Sequence, residues 1–154
     1  MRNDETFVWG GDAVKIGASS VIFNDVGHVL LVHHTYGRLN WELPGGHGEP
    51  GEPGDETALR EVREETSLHV RAERLSGLYY EPEIDMHHFV FACTRLDDTA
   101  LPQPDRDEIS ECGFWPLDAL PRPISDFTIR RIHEALAGQP VTAIARVPTR
   151  TWFE

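Results

Sequence analysis

The 154-residue sequence has only two cysteines, Cys93 and Cys112, and their spacing is not that of metal ligands. Both are predicted to be small apolar core residues rather than a redox pair. The sequence also lacks a run of transmembrane length, and the N-terminal stretch MRNDETFVWGGD contains no apolar segment typical of a signal peptide. These absences favour a cytoplasmic protein with no membrane partner.

Basic residues are scarce, since 14 lysines and arginines stand against 26 aspartates and glutamates, giving a formal net charge of −12. Proteins that bind nucleic acid usually carry a basic surface, so this charge argues against a nucleic-acid partner. The same charge would repel a phosphate-bearing substrate unless bound divalent cations intervened. Length and composition otherwise fit a single domain over residues 1–154 with a substantial core.

Acidic residues are concentrated in the segment GGHGEPGEPGDETALREVREETSL, residues 45–68. It begins as a loop and continues as a helix, in which Pro53 suits the first turn. At about 100° per residue, Glu61, Glu64 and Glu65 share one face of that helix. Like charges at this spacing repel one another, and a hard cation that prefers oxygen ligands, Mg²⁺ or Mn²⁺, would turn the repulsion into binding. Spacing alone leaves a solvated acidic face open as the alternative.

This segment resembles the Nudix box, G-x5-E-x7-R-E-U-x-E-E-x-G-U, in which U is a bulky aliphatic residue. The match extends from Gly46 to Leu68 and includes Glu52 and the run REVREE. Ser67 departs from the box, which has its last glycine there. Such a glycine usually supplies a left-handed residue after the last helical turn, and a non-glycine residue costs about 1–2 kcal/mol there. The departure should therefore affect helix termination and leave the cation ligands unchanged.

The resemblance implies an α/β fold, a Nudix-type α/β/α sandwich with a mixed sheet between the box helix and a C-terminal helix. The pattern predicts a β-hairpin formed by strands over 14–23 and 28–33. Residues 1–13 are expected to be an arm or an edge strand, and residues 139–154 a tail that packs on its own chain or between subunits. The remaining predicted elements are strands over 70–80, 86–95 and 112–116 and a helix over 127–137.

Two sets of core residues follow from these patterns. Alternation along the strand over 86–95 predicts that Phe89 and Phe91 are buried. Helical spacing after a cap at Ser125 or Asp126 predicts a buried stripe on the last helix. That stripe consists of Ile129, Ile132, His133 and Leu136.

The resemblance also implies a reaction, in which water cleaves the pyrophosphate bond of a nucleoside diphosphate linked to another group. Its expected cofactor is Mg²⁺, or Mn²⁺, which neutralises the diphosphate and lowers the pKa of a bound water. The predicted metal ligands are Glu61, Glu64, Glu65 and the backbone carbonyl of Gly45.

Catalytic roles are predicted for Arg60, Glu61, Glu64 and Glu108. Arg60 is expected to hold the box carboxylates through charge-assisted hydrogen bonds. The general base is Glu61, Glu64 or Glu108, and the resemblance does not choose among them. Glu108 lies before a predicted aromatic strand, where related proteins often carry a glutamate that assists the metal or the water, and Glu111 is the second choice.

Loops outside the box are expected to set substrate identity, and Tyr36, Arg38, Tyr79 and Glu81 are predicted substrate contacts. Three functions remain open. The first is hydrolysis of a nucleotide sugar such as ADP-ribose, and the second is hydrolysis of (deoxy)nucleoside triphosphates to remove damaged nucleotides. The third is non-catalytic nucleotide binding by a regulator, against which the intact REVREE run argues. A homodimer is a further expectation, because aromatic residues occur at both ends of the chain.

Overall fold

Two α-helices and two five-stranded mixed sheets make up the computed structural model, which describes residues 13–154. The arm expected over residues 1–13 lies outside these described residues except for Ala13. No helix within them is long and apolar enough to cross a membrane. The elements are β1 (Lys15–Ile22), β2 (Val29–His34), β3 (Trp41–Glu42), β4 (Gly45–His47), α1 (Gly54–Thr66), β5 (Val70–Glu81), β6 (Met86–Arg95), β7 (Ile109–Trp115), β8 (Ile124–Ser125), α2 (Asp126–Ala137), β9 (Ala145–Arg146) and β10 (Trp152–Phe153).

The strands β1 and β2 belong to different sheets, so the predicted hairpin was wrong. The first sheet has the order β4-β1-β6-β5-β9, in which β1 runs parallel to β6. The second has the order β10-β8-β3-β2-β7, in which β2 runs antiparallel to both of its neighbours. Only a single bridge, between Phe23 and Val29, joins the two predicted partners among the described residues. The apolar run of β2 is buried on both faces, as expected of a central strand with a neighbour on each edge.

Two successive residues of β1 pack against different helices. Val21 belongs to an apolar cluster with Phe127 and Ile132 of α2, whereas Ile22 belongs to a cluster with Val62 of α1. Successive strand residues point to opposite faces, so the first sheet lies between the two helices. The predicted α/β/α architecture is confirmed, with two mixed sheets where one was expected.

The burial predicted for β6 was wrong in detail. His88 and Val90 are buried, whereas Phe89 and Phe91 are half-buried. The face of His88 is closed by α2, where the Phe127 ring packs edge-on at 5.2 Å from the imidazole. The opposite face is only partly covered by α1 and the loop before it.

Helix α2 begins and ends as predicted, because the Oγ atom of Ser125 accepts a hydrogen bond from the Thr128 amide (3.1 Å) and Gly138 closes the helix with φ 66°. The predicted stripe was wrong at His133 and Leu136, which are exposed. The helix is rotated so that the charged Arg131 is buried, which hydrophobic periodicity does not anticipate. Its buried residues are Phe127, Thr128, Arg131, Ile132 and Ala135.

The C-terminal tail packs against its own chain. Strand β9 runs parallel to β5, and β10 pairs with β8, placing Trp152 opposite Ser125. Of the two arrangements that the sequence left open for this tail, the structure shows packing within the chain.

The C-terminal end of α1 has the geometry expected from the missing box glycine. Ser67 adopts a left-handed conformation with φ 63°, and its amide donates to the Arg63 carbonyl. At the other end the helix begins at Gly54, after Pro53 in an extended conformation, so Pro53 precedes the first turn.

We expect Ser67→Gly to raise the free energy of unfolding by about 0.5–1 kcal/mol relative to Ser67→Ala, because only glycine relieves the left-handed strain. The alanine variant is the matched control, since both substitutions remove the hydroxyl that donates to the Gln103 carbonyl (3.3 Å). Urea denaturation measures the difference. Equal stability of the two variants would show that Ser67 carries no strain.

Candidate active site

Two glycines of β4 bring the backbone against α1. A Cβ atom at Gly46 would lie 2.5 Å from the Oε1 atom of Glu61, and one at Gly45 would lie 2.5 Å from the Ala18 carbonyl oxygen. A side chain at Gly45 would therefore collide with the backbone of β1, and one at Gly46 would displace the Glu61 carboxylate. The Gly45 amide donates to the Oε2 atom of Glu65 over 3.1 Å, which places this peptide beside the carboxylate.

Glu65 is a buried carboxyl group with only 2% of its surface exposed. Burial raises its pKa to about 9, and the nearby charges of Glu61, Glu108 and Asp105 act in the same direction, against the single hydrogen bond from Gly45. A carboxyl group in this position needs either a proton or a nearby cation at neutral pH.

Arg60 is the centre of the hydrogen-bond network around the box carboxylates. Its guanidinium donates to both oxygens of Glu52 (2.8 and 3.0 Å), to Glu61 (3.0 Å), to Glu64 (3.0 Å) and to the His47 carbonyl (3.0 Å). These bonds raise the pKa of Arg60, and the same contact with Arg60 holds the pKa of Glu52 at about 2. One cation thus joins the loop, the strand β4 and the helix face.

The other acids of the site differ in exposure. Glu61 is half-buried, and burial together with the charges of Glu64 and Glu108 raises its pKa despite the opposing effect of Arg60. Glu64 and Glu108 are exposed to water. Glu108 immediately precedes β7, and its charge acts on both Glu61 and Glu65. Glu111, the second choice, lies further along β7 and acts instead on the thiol of Cys112.

The donor set fits a hard divalent cation. Carboxylate oxygens of Glu61 and Glu65 and the adjoining peptide of Gly45 are the ligand types that Mg²⁺ and Mn²⁺ prefer. Among residues 13–154, no three side chains of His, Cys, Asp or Glu are grouped closely enough to hold a metal ion as they stand. Arg60 bonds the carboxylates of Glu61 and Glu64, and the Gly45 amide bonds that of Glu65, so cation binding would require exchange of these hydrogen bonds.

A cleft of about 240 Å³ adjoins this acidic face at Gly45 and Gly46. Strand β1 contributes Gly17, Ala18 and Ser19 to its lining, the small residues that allow close approach of a ligand. Larger side chains enter the cleft from the end of β2 and the loop after it, from β6, from α2 and from the C-terminal tail. These are His34, Tyr36, Met86, His88, Arg131, Arg150 and Trp152.

Charged residues form a matched network along the cleft. Glu42 accepts from Arg131 (2.8 Å) and lies 3.4 Å from Arg150, while Arg150 makes a two-bond pair with Glu81 (2.7 and 2.8 Å). Glu81 also bonds His88 (2.7 Å). Burial opposes the charged form of Glu81, yet the bonds from His88 and Arg150 hold its pKa at about 2. Two guanidinium groups therefore face two carboxylates here.

The four predicted substrate contacts occupy different places. Tyr36 lines the cleft and stacks on His34 with the ring centroids 4.6 Å apart. Arg38 bonds Glu154 (2.9 Å), and its guanidinium lies on the Trp152 ring. Tyr79 is buried and donates to Glu134, and Glu81 is buried in the charge network, because β5 continues to Glu81 and turns both side chains inward. Neither Tyr79 nor Glu81 belongs to the cleft lining.

Sequence patterns missed several cleft residues. Arg131 looks like a solvated helix residue and Arg150 like a residue of a polar tail, since neither lies in a motif. A usable signal existed for Glu42, which occurs between Trp41 and the Leu-Pro-Gly-Gly run that leads into the box. Trp152 lies in no motif, and its only sequence signal is its place in the aromatic end of the chain.

Comparisons with known proteins place this chain in a family. The NUDIX domain model matches residues 14–136. An ADP-ribose pyrophosphatase of Mycobacterium tuberculosis is 32% identical over 158 aligned residues, covering 94% of this chain and 72% of that protein. The human 8-oxo-dGDP phosphatase NUDT18 is 30% identical over 121 residues, covering 77% of this chain and 37% of that protein.

A solved structure supports the fold. The crystal structure of an ADP-ribose pyrophosphatase from Streptococcus suis superposes with a TM-score of 0.69, covering 88% of this chain and all of that chain at 24% identity.

Several curated relatives are longer than the matched region, since the chain spans 37% to 50% of the length of three of them. The chain belongs to the Nudix hydrolase family and is a Nudix pyrophosphohydrolase.

Removing one partner of the cleft network should destabilise the fold. We expect Glu42→Gln to lower the free energy of unfolding by about 3 kcal/mol, because the buried Arg131 then lacks its counter-charge. Glu73→Gln is the matched control, since Glu73 pairs with Arg71 (2.8 Å) on the surface and its loss should leave stability almost unchanged. Denaturant titration of both variants measures this, and equal losses would contradict it.

The raised pKa of Glu65 predicts a pH dependence in the presence of a chelator. Between pH 4.5, its ordinary pKa, and about 9, the unfolded state has lost the proton that the folded state retains, so stability falls as pH rises through this window. The fall should be on the order of a few kcal/mol and should largely disappear in Glu65→Gln. Unfolding free energies measured across this range provide the check. Parallel curves for the two proteins would show that Glu65 is already ionised in the fold.

Proposed function

We propose that this protein is a hydrolase, dependent on Mg²⁺ or Mn²⁺, that cleaves the pyrophosphate bond of a nucleoside diphosphate linked to another group. The observation that supports this most directly is the convergence of Glu61, Glu65 and the Gly45 peptide beside the cleft. Nudix hydrolases generally depend on divalent metal ions. An acid whose pKa is raised by burial and by acidic neighbours is a suitable cation ligand.

In this proposal Glu61, Glu64, Glu65 and the backbone of Gly45 hold the cation. When bound, the cation supplies charge neutralisation of the diphosphate and lowers the pKa of water. Arg60 keeps the carboxylates of Glu61 and Glu64 on one side of the helix through its hydrogen bonds. Positioning and electrostatic stabilisation provide most of the catalysis in phosphoryl transfer, which suits a site built from charged groups on a rigid helix.

The general base is one of three glutamates. Glu64 and Glu108 are open to water, so each can meet an attacking water molecule, whereas Glu61 is half-buried beside Gly46. The base accepts a proton from the water molecule while the oxygen of that water attacks phosphorus and the bridging P–O bond breaks. Two phosphate-bearing products leave, which for ADP-ribose are AMP and ribose 5-phosphate.

The cleft beside Gly45 takes the part of the substrate beyond the diphosphate. Tyr36 lines it directly and is the substrate contact that we retain from the sequence prediction. For Glu81 we propose an indirect role, which is to hold Arg150 at the cleft through their two hydrogen bonds. Arg38 acts through Trp152, on which its guanidinium lies.

A nucleotide sugar such as ADP-ribose is the substrate class that we favour, since the M. tuberculosis ADP-ribose pyrophosphatase aligns with 94% of the chain. Hydrolysis of (deoxy)nucleoside triphosphates is the second candidate, supported by the similarity to a putative 8-oxo-dGTP diphosphatase of Bacillus subtilis, which is 37% identical over 76 residues that cover 49% of this chain and 50% of that protein. The products distinguish the two, because a nucleotide sugar gives a nucleoside monophosphate and a sugar phosphate, whereas a triphosphate gives a nucleoside monophosphate and inorganic pyrophosphate.

Glu65→Gln should lower kcat by at least about a hundredfold while the protein stays folded, because the substitution removes a charged metal ligand but keeps the shape of the side chain. The assay is a panel of nucleotide sugars and nucleoside triphosphates with Mg²⁺ or Mn²⁺, in which released phosphate-bearing products are measured. Glu49→Gln is the control, since Glu49 belongs to the same acidic segment but is largely exposed and outside the predicted ligand set.

Full activity of Glu65→Gln would remove that residue from the metal site. Wild-type protein that turns over no nucleotide in the panel would contradict the proposed substrate classes.

A further inference from the structure

Trp152 forms part of the cleft wall although it lies outside the region that the family model matches. Its backbone is fixed by the pairing of β10 with β8, where Trp152 lies opposite Ser125. The guanidinium carbon of Arg38 lies 4.6 Å from the indole centroid, and Arg38 is itself held by Glu154 (2.9 Å). The indole is thus supported from outside the cleft by contacts within the chain.

The rest of the cleft suits a flat, polar ring. The Nη1 atom of Arg150 makes only one long hydrogen bond, of 3.4 Å, to Glu42. The Nε and Nη2 atoms of Arg150 both donate to Glu81. That Nη1 group retains hydrogen-bonding capacity for acceptor atoms on the edge of a ligand. An aromatic side chain beside guanidinium donors is the combination that binds heteroaromatic bases, through stacking on the ring and hydrogen bonds to its edge.

We infer that Trp152 is a substrate-specificity residue, whose indole stacks on the nucleobase of the substrate while Arg150 contacts acceptor atoms on the edge of the base. This inference rests on the proposed function, because it places the diphosphate at the acidic face of α1 and the nucleoside half in the adjoining cleft. The C-terminal tail is then part of the substrate-binding site.

The test compares product-sized probes that differ in the base. Dissociation constants of AMP, GMP, CMP, UMP and ribose 5-phosphate are measured by calorimetry with Mg²⁺ present. In the wild-type protein the best-bound nucleotide should bind more tightly than ribose 5-phosphate. Trp152→Ala should weaken the binding of that nucleotide by about 5- to 150-fold, which is the range for loss of one base-stacking contact. The same substitution should leave the affinity for ribose 5-phosphate unchanged. Trp152→Phe should retain most of the affinity.

Phe153→Ala is the matched control, since it removes the neighbouring aromatic residue of β10 that does not line the cleft. It should bind every probe as the wild type does. In steady-state kinetics Trp152→Ala should raise KM for the nucleotide substrate by a similar factor and leave kcat unchanged, which a general loss of stability would not do. Nuclear Overhauser contacts between base protons and indole protons in the wild type, assigned with Trp152→Phe, provide a test that does not depend on the alanine variant folding.

Three results would overturn the inference. In Trp152→Ala these are equal weakening of the binding of all five probes or unchanged binding of all of them. In the wild type it is the absence of contacts between base protons and indole protons. A wild-type protein that binds no nucleotide more tightly than ribose 5-phosphate would do the same. The wild-type protein could show base-dependent binding that Trp152→Ala loses, and yet hydrolyse none of the panel. That result would uphold the inference and contradict the proposed reaction. Normal hydrolysis in Trp152→Ala with an unchanged KM would contradict only the inference.

Discussion

Two carboxylates of the box helix, those of Glu61 and Glu64, are held by one guanidinium group. Arg60 bonds Glu52 in the loop, Glu61 and Glu64 on the helix, and the carbonyl of His47 in β4. Without a cation at this position, like charges one turn apart would separate the loop from the helix face. The same strand lies close to α1 at its two glycines, where a Cβ atom at Gly46 would lie 2.5 Å from the Oε1 atom of Glu61 and the Gly45 amide donates to the buried Glu65.

The net charge of −12 is distributed so that binding of an anionic substrate is feasible. On the acidic face, Arg60 meets only part of the negative charge, and Glu65 has no cationic neighbour within hydrogen-bonding distance among the described residues. In the cleft next to it, Arg131 and Arg150 are matched by Glu42 and Glu81. Under the proposed function, the divalent ion would bind at the helix and not in the cleft, and the reacting end of the site would be separate from the end that binds the rest of the substrate.

Local signals in the sequence predicted the parts of the structure that depend on neighbouring residues. The box fixed α1 and its left-handed end at Ser67, and the cap at Ser125 and the glycine at 138 fixed α2. Long-range pairing could not be predicted in the same way. An apolar run such as that of β2 does not identify the strands that pair with it. Its partner β3 follows an irregular loop, and its other partner β7 lies far along the chain. Burial of Arg131 depends on Glu42, 89 positions earlier in the chain, so helical periodicity misassigned that face.

The most direct measurement is anomalous diffraction from crystals soaked in Mn²⁺ at a pH at which the acids of α1 are ionised. The proposed site predicts a manganese peak bound by the carboxylates of Glu61 and Glu65 beside the Gly45 peptide, and no such peak in crystals of Glu65→Gln. A map with no ion at this helix, and with Glu61 and Glu64 still bonded to Arg60, would contradict the central claim that these glutamates form a cation site.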